Sequence, residues 1–309
     1  MAQFPNEQSN DGEFTRQEDA FRQWITPDGV TGFPPEKRRY HLYVSLACPW
    51  AHRTLIVRHL LGLEETVSVT VADPVRDERG WAFHEGDGHS RDEVNGFEFL
   101  SEAYHATDPQ FKGRITVPVL WDRERKLIVN NSEDDICRMF VHGFETCHTR
   151  RCNLFPTEHA EEQKALSAFI YEKVNNGVYK AGFATSQAVY KQAVRELFIA
   201  LDELESRLAN RNEPYLMGKE AVESDWRMFC TLIRFDAVYH GHFKCNIRQI
   251  KDYPQLSRYL RRLYHQPGIS ETVNMDHIKR HYYMTHEDIN PSKIVPSGPD
   301  LSWLEVPVE

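Results

Sequence analysis

The residues Leu42-Tyr43-Val44-Ser45-Leu46-Ala47-Cys48-Pro49-Trp50-Ala51-His52-Arg53 limit what this chain can fold into more than any other stretch. They read as a short strand, a tight loop, and a helix whose first turn starts at Pro49. Proline is favoured at the first helical position, because the N–H it lacks would be unpaired there and its fixed φ suits the helix. Cys48 therefore falls just before a helix N-terminus, where unpaired N–H groups and the macrodipole favour an anion. His52 and Arg53 follow one turn later and are expected to add positive potential. A thiol so placed has a lowered pKa and is partly thiolate at neutral pH. The bland reading is a buried structural cysteine, since cysteines outside disulfides are among the most buried residues. Of the two, the reactive thiol is favoured.

The pattern over 38–46 alternates into the first strand, and Ala51, Leu55, Ile56, Leu60 and Leu61 follow near helical spacing. Gly62 ends that helix. Val67-Ser68-Val69-Thr70-Val71 alternates as a second strand. Strand, helix and strand make a unit whose two strands are parallel and joined by a crossover helix. Residues 73–113 then break the rhythm. They are rich in Asp, Gly, His and Arg, and the aromatics Trp81, Phe83, Phe97 and Phe99 favour an ordered insertion over disorder. The rhythm returns at Arg114-Ile115-Thr116-Val117-Pro118-Val119-Leu120-Trp121-Asp122, where Pro118 marks an edge strand or a special bond. Leu127-Ile128-Val129 adds a strand, and Asn130-Asn131-Ser132-Glu133 leads into a helix. The order is β-α-β, insertion, β-β-α.

From Thr157 the character turns helical. Residues 160–175 and 186–208 carry apolar side chains three and four apart, among them Leu197, Leu201, Leu204 and Leu208. Pro214-Tyr215-Leu216-Met217-Gly218 is a break, and helices are expected over 224–235 and 254–265. Residues 1–38 are polar and punctuated by glycine and proline, which reads as an irregular arm. Phe14, Phe21, Trp24 and Phe33 imply that part of the arm packs on the body. Residues 291–309 are Pro-rich and read as an extended tail. The expected division is an arm over 1–38, an α/β domain over 39–145 with its insertion at about 73–113, an all-helical domain over 155–290, and a tail over 291–309.

At 309 residues, with 40% hydrophobic and 12% aromatic content, the chain can fill the cores of two ordinary domains. A net charge of −9 argues against a nucleic-acid partner, which needs a basic surface. No run approaches the roughly 18 apolar residues of a membrane span, and the first residues carry neither the basic nor the apolar region of a secretory signal. Six cysteines are scattered without a disulfide framework, which fits a reducing, cytoplasmic setting. Cys147, His148 and Cys152 match no common zinc spacing, so no metal is expected.

β-α-β-β-α followed by a helical half is the layout of glutathione transferases, a thioredoxin-like α/β domain with an all-α domain behind it. The motif Cys48-Pro49-Trp50-Ala51-His52-Arg53 resembles that of the glutathionyl-hydroquinone reductases, the Xi-class, omega-like glutathione transferases. So do Gly80-Trp81-Ala82-Phe83, Thr116-Val117-Pro118-Val119-Leu120-Trp121-Asp122, Val174-Asn175-Asn176-Gly177-Val178-Tyr179, Arg234-Phe235-Asp236-Ala237-Val238-Tyr239, and Pro267-Gly268-Ile269-Ser270 with Asp276-His277-Ile278. The resemblance implies a cis bond before Pro118, with the Val117 backbone pairing with the cysteinyl part of glutathione, and contacts from Trp81 and Arg114. It further implies that the helix start after Asn131 binds the γ-glutamyl carboxylate. The family usually reads Asn-Glu-Ser there, whereas this chain has Asn131-Ser132-Glu133. Ser132 is then expected to serve the carboxylate and Glu133 the ligand's ammonium group. Where the family usually reads Thr-Glu-Ala-Asp, this chain has Val222-Glu223-Ser224-Asp225; valine cannot cap, and Ser224 is expected to take over or the cap to weaken.

No second cysteine lies three residues after Cys48, so a monothiol cycle is expected, with glutathione as co-substrate. The resemblance points to Tyr179 and Tyr282 as catalytic hydroxyl donors and to Tyr239 as a further substrate contact; Tyr283 is the neighbour with which Tyr282 is most easily confused. It also implies a homodimer acting on glutathionylated aromatic substrates. Two other readings share these residues: an omega-like thioltransferase or dehydroascorbate reductase, which needs Cys48 but not the tyrosines, and a non-catalytic relative that holds aromatic ligands.

Overall fold

In the computed structural model, β1 (Tyr40–Val44) is buried along its whole length and organises a four-stranded sheet. The structure describes residues 7, 9, 11–14, 17–211 and 213–308; the remaining positions of the expected arm, and residue 309 of the expected tail, lie outside them. Strands β2 (Val67–Val71), β3 (Val119–Asp122) and β4 (Leu127–Asn130) complete the sheet in the order β2-β1-β3-β4. β1 runs parallel to β2, with Tyr40 opposite Val67, and antiparallel to β3, with Tyr43 opposite Val119. Helix α1 (Pro49–Leu60) makes the parallel crossover.

α1 ends as its sequence requires. The Gly62 N–H donates to the His59 carbonyl and the Leu63 N–H to the Arg58 carbonyl. Gly62 has φ +67°, and a Cβ there would lie 1.9 Å from the Thr149 hydroxyl. Only glycine fits that position.

The insertion is ordered, and it is not wholly irregular. Its C-terminal part is helix α2 (Leu100–Thr107). The Glu102 carboxylate accepts from the Glu98 and Phe99 N–H groups, so the helix start is held by a side chain in its own first turn. α3 (Glu133–Arg138) follows β4.

The described residues divide into two compact units. One comprises Gln17–Cys152 and Thr272–His281 and holds the sheet; the other is built chiefly from Asn153–Glu271 and is helical. In the helical unit lie α4 (Ala160–Phe169), α5 (Asn176–Gly182), α6 (Gln187–Arg211), α7 (Glu223–Arg234) and α8 (Pro254–Tyr264). A π-helical turn, Ile170–Asn175, joins α4 to α5, and another, Phe235–Tyr239, extends α7. A last helix, α9 (Met275–Thr285), was not expected from the sequence. Its inward positions His277, Ile278, His281 and Tyr282 recur at helical spacing, but three of the four are polar or half-polar, which hides the apolar stripe.

The flanking segments are docked. Phe21 packs edge-on to Tyr104, and the Asn131 and Gln23 N–H groups donate to Phe21 and Val129, so the arm runs beside β4. Phe14 stacks with Tyr179 in the helical unit. The tail departs from the expected extended form: Ser302–Glu305 is a 3-10 turn, Leu304 is buried, and the Leu304 carbonyl lies 2.9 Å from His265 Nε2.

Candidate active site: a thiol at a helix start and a tyrosine cluster

Cys48 is the N-cap residue of α1, with extended φ/ψ of −76° and 121°, and Pro49 is the first helical residue. The turn that delivers it is built locally. Ser45 Oγ accepts from the Ala47 N–H, and the Ser45 carbonyl accepts from the Cys48 N–H. The Cys48 carbonyl then accepts the first helical bond, from His52. The thiol is half-buried, and its Sγ lies 3.6 Å from the Val117 carbonyl, next to a cis Val117-Pro118 bond. The other five cysteines are also thiols.

Arg53 and His52 of the motif have other engagements. The buried Arg53 guanidinium pairs with Asp134 and, at 3.4 Å, with Glu133. His52 Nε2 lies 2.7 Å from the Thr272 hydroxyl, and its side chain is buried. The expected contribution of Arg53 to the potential at Cys48 is therefore largely offset by two carboxylates. What remains for the thiol is the helix start itself, with its dipole.

The same pairing gives Glu133 a cation. Its carboxylate is held against Arg53 rather than left without a cation. Ser132 is the N-cap residue of α3, but its hydroxyl makes no capping bond; its N–H donates to Asn130 Oδ1 at 2.7 Å. Trp81 is buried. His281 stacks on it at 5.0 Å, and the Arg76 guanidinium lies 4.8 Å from its ring centre. No sequence motif marks His281; it is fixed by Nδ1, 2.7 Å from the Pro74 carbonyl. Arg114 is partly exposed just before Val117.

In the helical unit, α5, the turn after α7 and the last turn of α9, from Tyr282 onward, bring together three tyrosines. Tyr282 Oη lies 2.6 Å from Tyr179 Oη and 3.0 Å from Tyr239 Oη. Tyr239 and Tyr282 are fully buried, whereas Tyr179 is partly exposed. Burial, then the neighbouring Tyr179 hydroxyl, pushes the Tyr239 and Tyr282 hydroxyls well above the ordinary tyrosine range. Both stay protonated at neutral pH and form a relay behind the one hydroxyl that reaches the surface of its unit. Phe14, Phe183 and Phe243 pack around Tyr179. Tyr283 points elsewhere and donates to the Ala237 carbonyl, so Tyr282 is the member of the pair that joins the cluster. Behind it, His242 Nε2 and His286 Nδ1 lie 3.1 Å apart, and burial lowers His242 to about 4.

Of the two expectations for the α7 cap, the weakened cap holds. Val222 makes no side-chain capping bond, and Ser224 does not take over; its hydroxyl pairs with that of Ser167 at 2.8 Å. Instead the Asp225 carboxylate accepts from the Val222 and Leu216 N–H groups and from the Tyr259 hydroxyl.

Comparison with known proteins follows this division. The N-terminal domain model of glutathione S-transferases matches residues 47–142, and the C-terminal domain model matches 187–262. Glutathionyl-hydroquinone reductase YqjG of Escherichia coli is 47% identical over 94% of this chain and 90% of its own length. Its glutathione-bound structure superposes with a TM-score of 0.91, covering 93% of this chain and 95% of that one. Glutathionyl-hydroquinone reductase PcpF of Sphingobium chlorophenolicum is 44% identical, over 94% and 91%. The glutathione-S-transferase Xi structure from Phanerochaete chrysosporium is 44% identical at a TM-score of 0.91, over 96% and 100%.

Proposed function

Since this chain belongs to the glutathione transferases, and within them to the Xi-class glutathionyl-hydroquinone reductases, we propose that it reduces S-glutathionyl-hydroquinones to hydroquinones with glutathione as co-substrate. The observation that carries the reading is the placement of Cys48 as the half-buried N-cap of a helix, its sulfur beside the Val117 carbonyl.

The Cys48 thiolate attacks the glutathionyl sulfur. An S–S bond forms, the C–S bond to the ring breaks, and its electron pair remains on the ring carbon, which takes a proton. The hydroquinone leaves. A second glutathione, as thiolate, attacks the mixed disulfide and releases oxidised glutathione and the Cys48 thiolate. The ring carbon gains the two electrons that the two glutathione sulfurs lose. The Tyr179 hydroxyl donates a hydrogen bond to a phenolic oxygen, and the buried hydroxyls of Tyr282 and Tyr239, hydrogen-bonded in turn behind it, hold it in place for that donation rather than touching the substrate themselves. Neutral hydroxyls suit this work, because they donate at pH 7 without placing a charge beside the ring.

Glutathione itself is assigned to the Val117-Pro118 backbone, Trp81, Arg114, and the start of α3 at Ser132 and Glu133. There the N–H groups at the α3 start receive the γ-glutamyl carboxylate. Glu133 faces the ligand's ammonium group while Arg53 holds it in place. We further propose a cytoplasmic homodimer with a role in quinone detoxification; no helix among the described residues is long and apolar enough to cross a membrane.

The test is turnover of glutathionyl-menadiol with excess glutathione, following free menadiol by chromatography. Rapid release that disappears in Cys48→Ser is the expected result. Glutathione binding without release overturns the reductase reading and leaves a thioltransferase or ligand-holding protein. Absence of glutathione binding overturns the assignment of Ser132 and Glu133.

A further inference from the structure

The segment between β2 and α2 contains a cluster that the reductase chemistry does not use. We propose that Asp73, His84 and His89 form a binding site for a divalent transition-metal ion of the zinc or cobalt type. Their ligand atoms all lie within 4.8 Å of one another. Asp73 Oδ2 is 2.7 Å from His84 Nε2 and 3.9 Å from His89 Nε2. Around a zinc ion with arms of about 2.0–2.2 Å, tetrahedral ligand atoms stand roughly 3.4 Å apart. The two observed separations bracket that value, and small rotations of the side chains reach it.

The orientation of His89 is the second observation. Its Nδ1 lies 2.7 Å from the His84 carbonyl oxygen. A carbonyl only accepts, so Nδ1 carries the proton. In the neutral ring Nε2 is then a lone pair, and it faces the Asp73 carboxylate. Either a second ring proton or a metal cation bridges that lone pair and the carboxylate. A ligating histidine commonly donates its other ring N–H to a backbone carbonyl in this way.

Asp73 is prepared in a similar manner. Its N–H donates to the Ala82 carbonyl, and its Oδ1 accepts from the Val75 N–H at 2.6 Å, which turns Oδ2 toward the two imidazoles. The ring of His89 fits only because residue 86 is glycine. A Cβ there would lie 2.1 Å from His89 Nε2.

Access is provided by His84. Its side chain is 57% exposed, while those of His89 and Asp73 are 4% and 11% exposed. His84 also lines a cavity of about 620 Å³, together with Arg79, Arg91 and Phe97. Three protein ligands with solvent at the fourth position make an open site. Two imidazoles and one carboxylate suit zinc, cobalt or nickel better than calcium or magnesium, which prefer oxygen alone.

The experiment is titration of the full-length, chelator-stripped and reduced protein with cobalt(II), following its visible absorption and, by chelator competition, its affinity. One equivalent is expected to bind with a tetrahedral or five-coordinate spectrum and no thiolate-to-cobalt charge-transfer band. His84→Gln, at an exposed position, is expected to keep the metal-free melting temperature and weaken cobalt binding at least about 10-fold. Asp73→Asn is expected to weaken it too. Absence of binding overturns the proposal and leaves the cluster as an ion pair. A charge-transfer band, or an affinity unchanged in His84→Gln, also overturns it by placing the metal on other residues.

Discussion

The sheet unit and the helical unit build their reactive groups in different ways. Around Cys48 nearly everything is local: the end of β1, the Ser45 turn, Pro49 at the helix start, and one long-range neighbour, the Val117 carbonyl. The tyrosine cluster has no local component. Tyr179 and Tyr282 are 103 positions apart in the chain, and Tyr239 and Tyr282 are 43 apart. A nucleophile can be set by secondary structure, because a helix start supplies its own electrostatics. Three hydroxyls drawn from distant parts of the chain meet only through tertiary packing, which also buries two of them and keeps them protonated far above neutral pH. The same contrast appears in the charges. Arg53, one turn past Cys48, is spent on Glu133 and Asp134, so the local motif overstates the positive potential the thiol receives.

Four experiments test that contrast. Cys48→Ser removes the nucleophile from a setting built mostly by the local backbone, and menadiol release is expected to fall by about 10³-fold or more with the melting temperature unchanged. Next in size, Tyr282→Phe and Tyr179→Phe are each expected to slow menadiol release about 10²-fold and to spare reduction of a simple glutathione mixed disulfide. If both reactions fall together, the cluster is structural and the contrast fails.

The third experiment uses pH. In the sheet unit His41 is buried between the Ser68 and Thr70 hydroxyls, and burial lowers it to about 3. Its neutral form stabilises the fold above its unfolded value near 6.5, and that contribution is lost as pH falls toward 3. In the helical unit burial raises Asp225 to about 6, against the N–H and Tyr259 donors that favour its charge. Its protonated form stabilises the fold below about 4, and that contribution is lost as pH rises through 6. Each effect is worth on the order of 3 kcal/mol between pH 4 and 7. On acidification, the melting-temperature advantage of the parent over His41→Gln is expected to shrink, and that over Asp225→Asn to grow. Parallel curves would show that neither group titrates as its burial dictates.

The smallest effect concerns the start of α7. Val222 has extended φ/ψ and no acceptor on its side chain. Val222→Thr keeps the shape and adds a capping oxygen, and is expected to stabilise the protein by about 1 kcal/mol, read as a small rise in melting temperature.

What the chain determined by itself is whatever neighbouring residues decide together: the strand–helix–strand start, Pro49 and Gly62 as the limits of α1, the position of Cys48, and the long amphipathic helix α6. Apolar periodicity and the backbone preferences of proline and glycine act over a few residues, so they are legible without the fold. Tertiary structure alone decided the partners of the polar side chains that reach beyond their own element. At α7 the sequence leaves open whether Ser224 caps or the cap weakens; the fold pairs Ser224 with Ser167, leaves Val222 without a side-chain cap, and buries the Asp225 carboxylate against the Val222 N–H. Glu133 stood in the motif as an acid facing an acid, and a buried guanidinium from α1 receives it. α9 escaped notice because its inward face is largely histidine and tyrosine, and Tyr282 was distinguished from Tyr283 only by where each ring points. A buried polar group must find a partner, and that partner is chosen by proximity in space, which the order of residues does not encode locally.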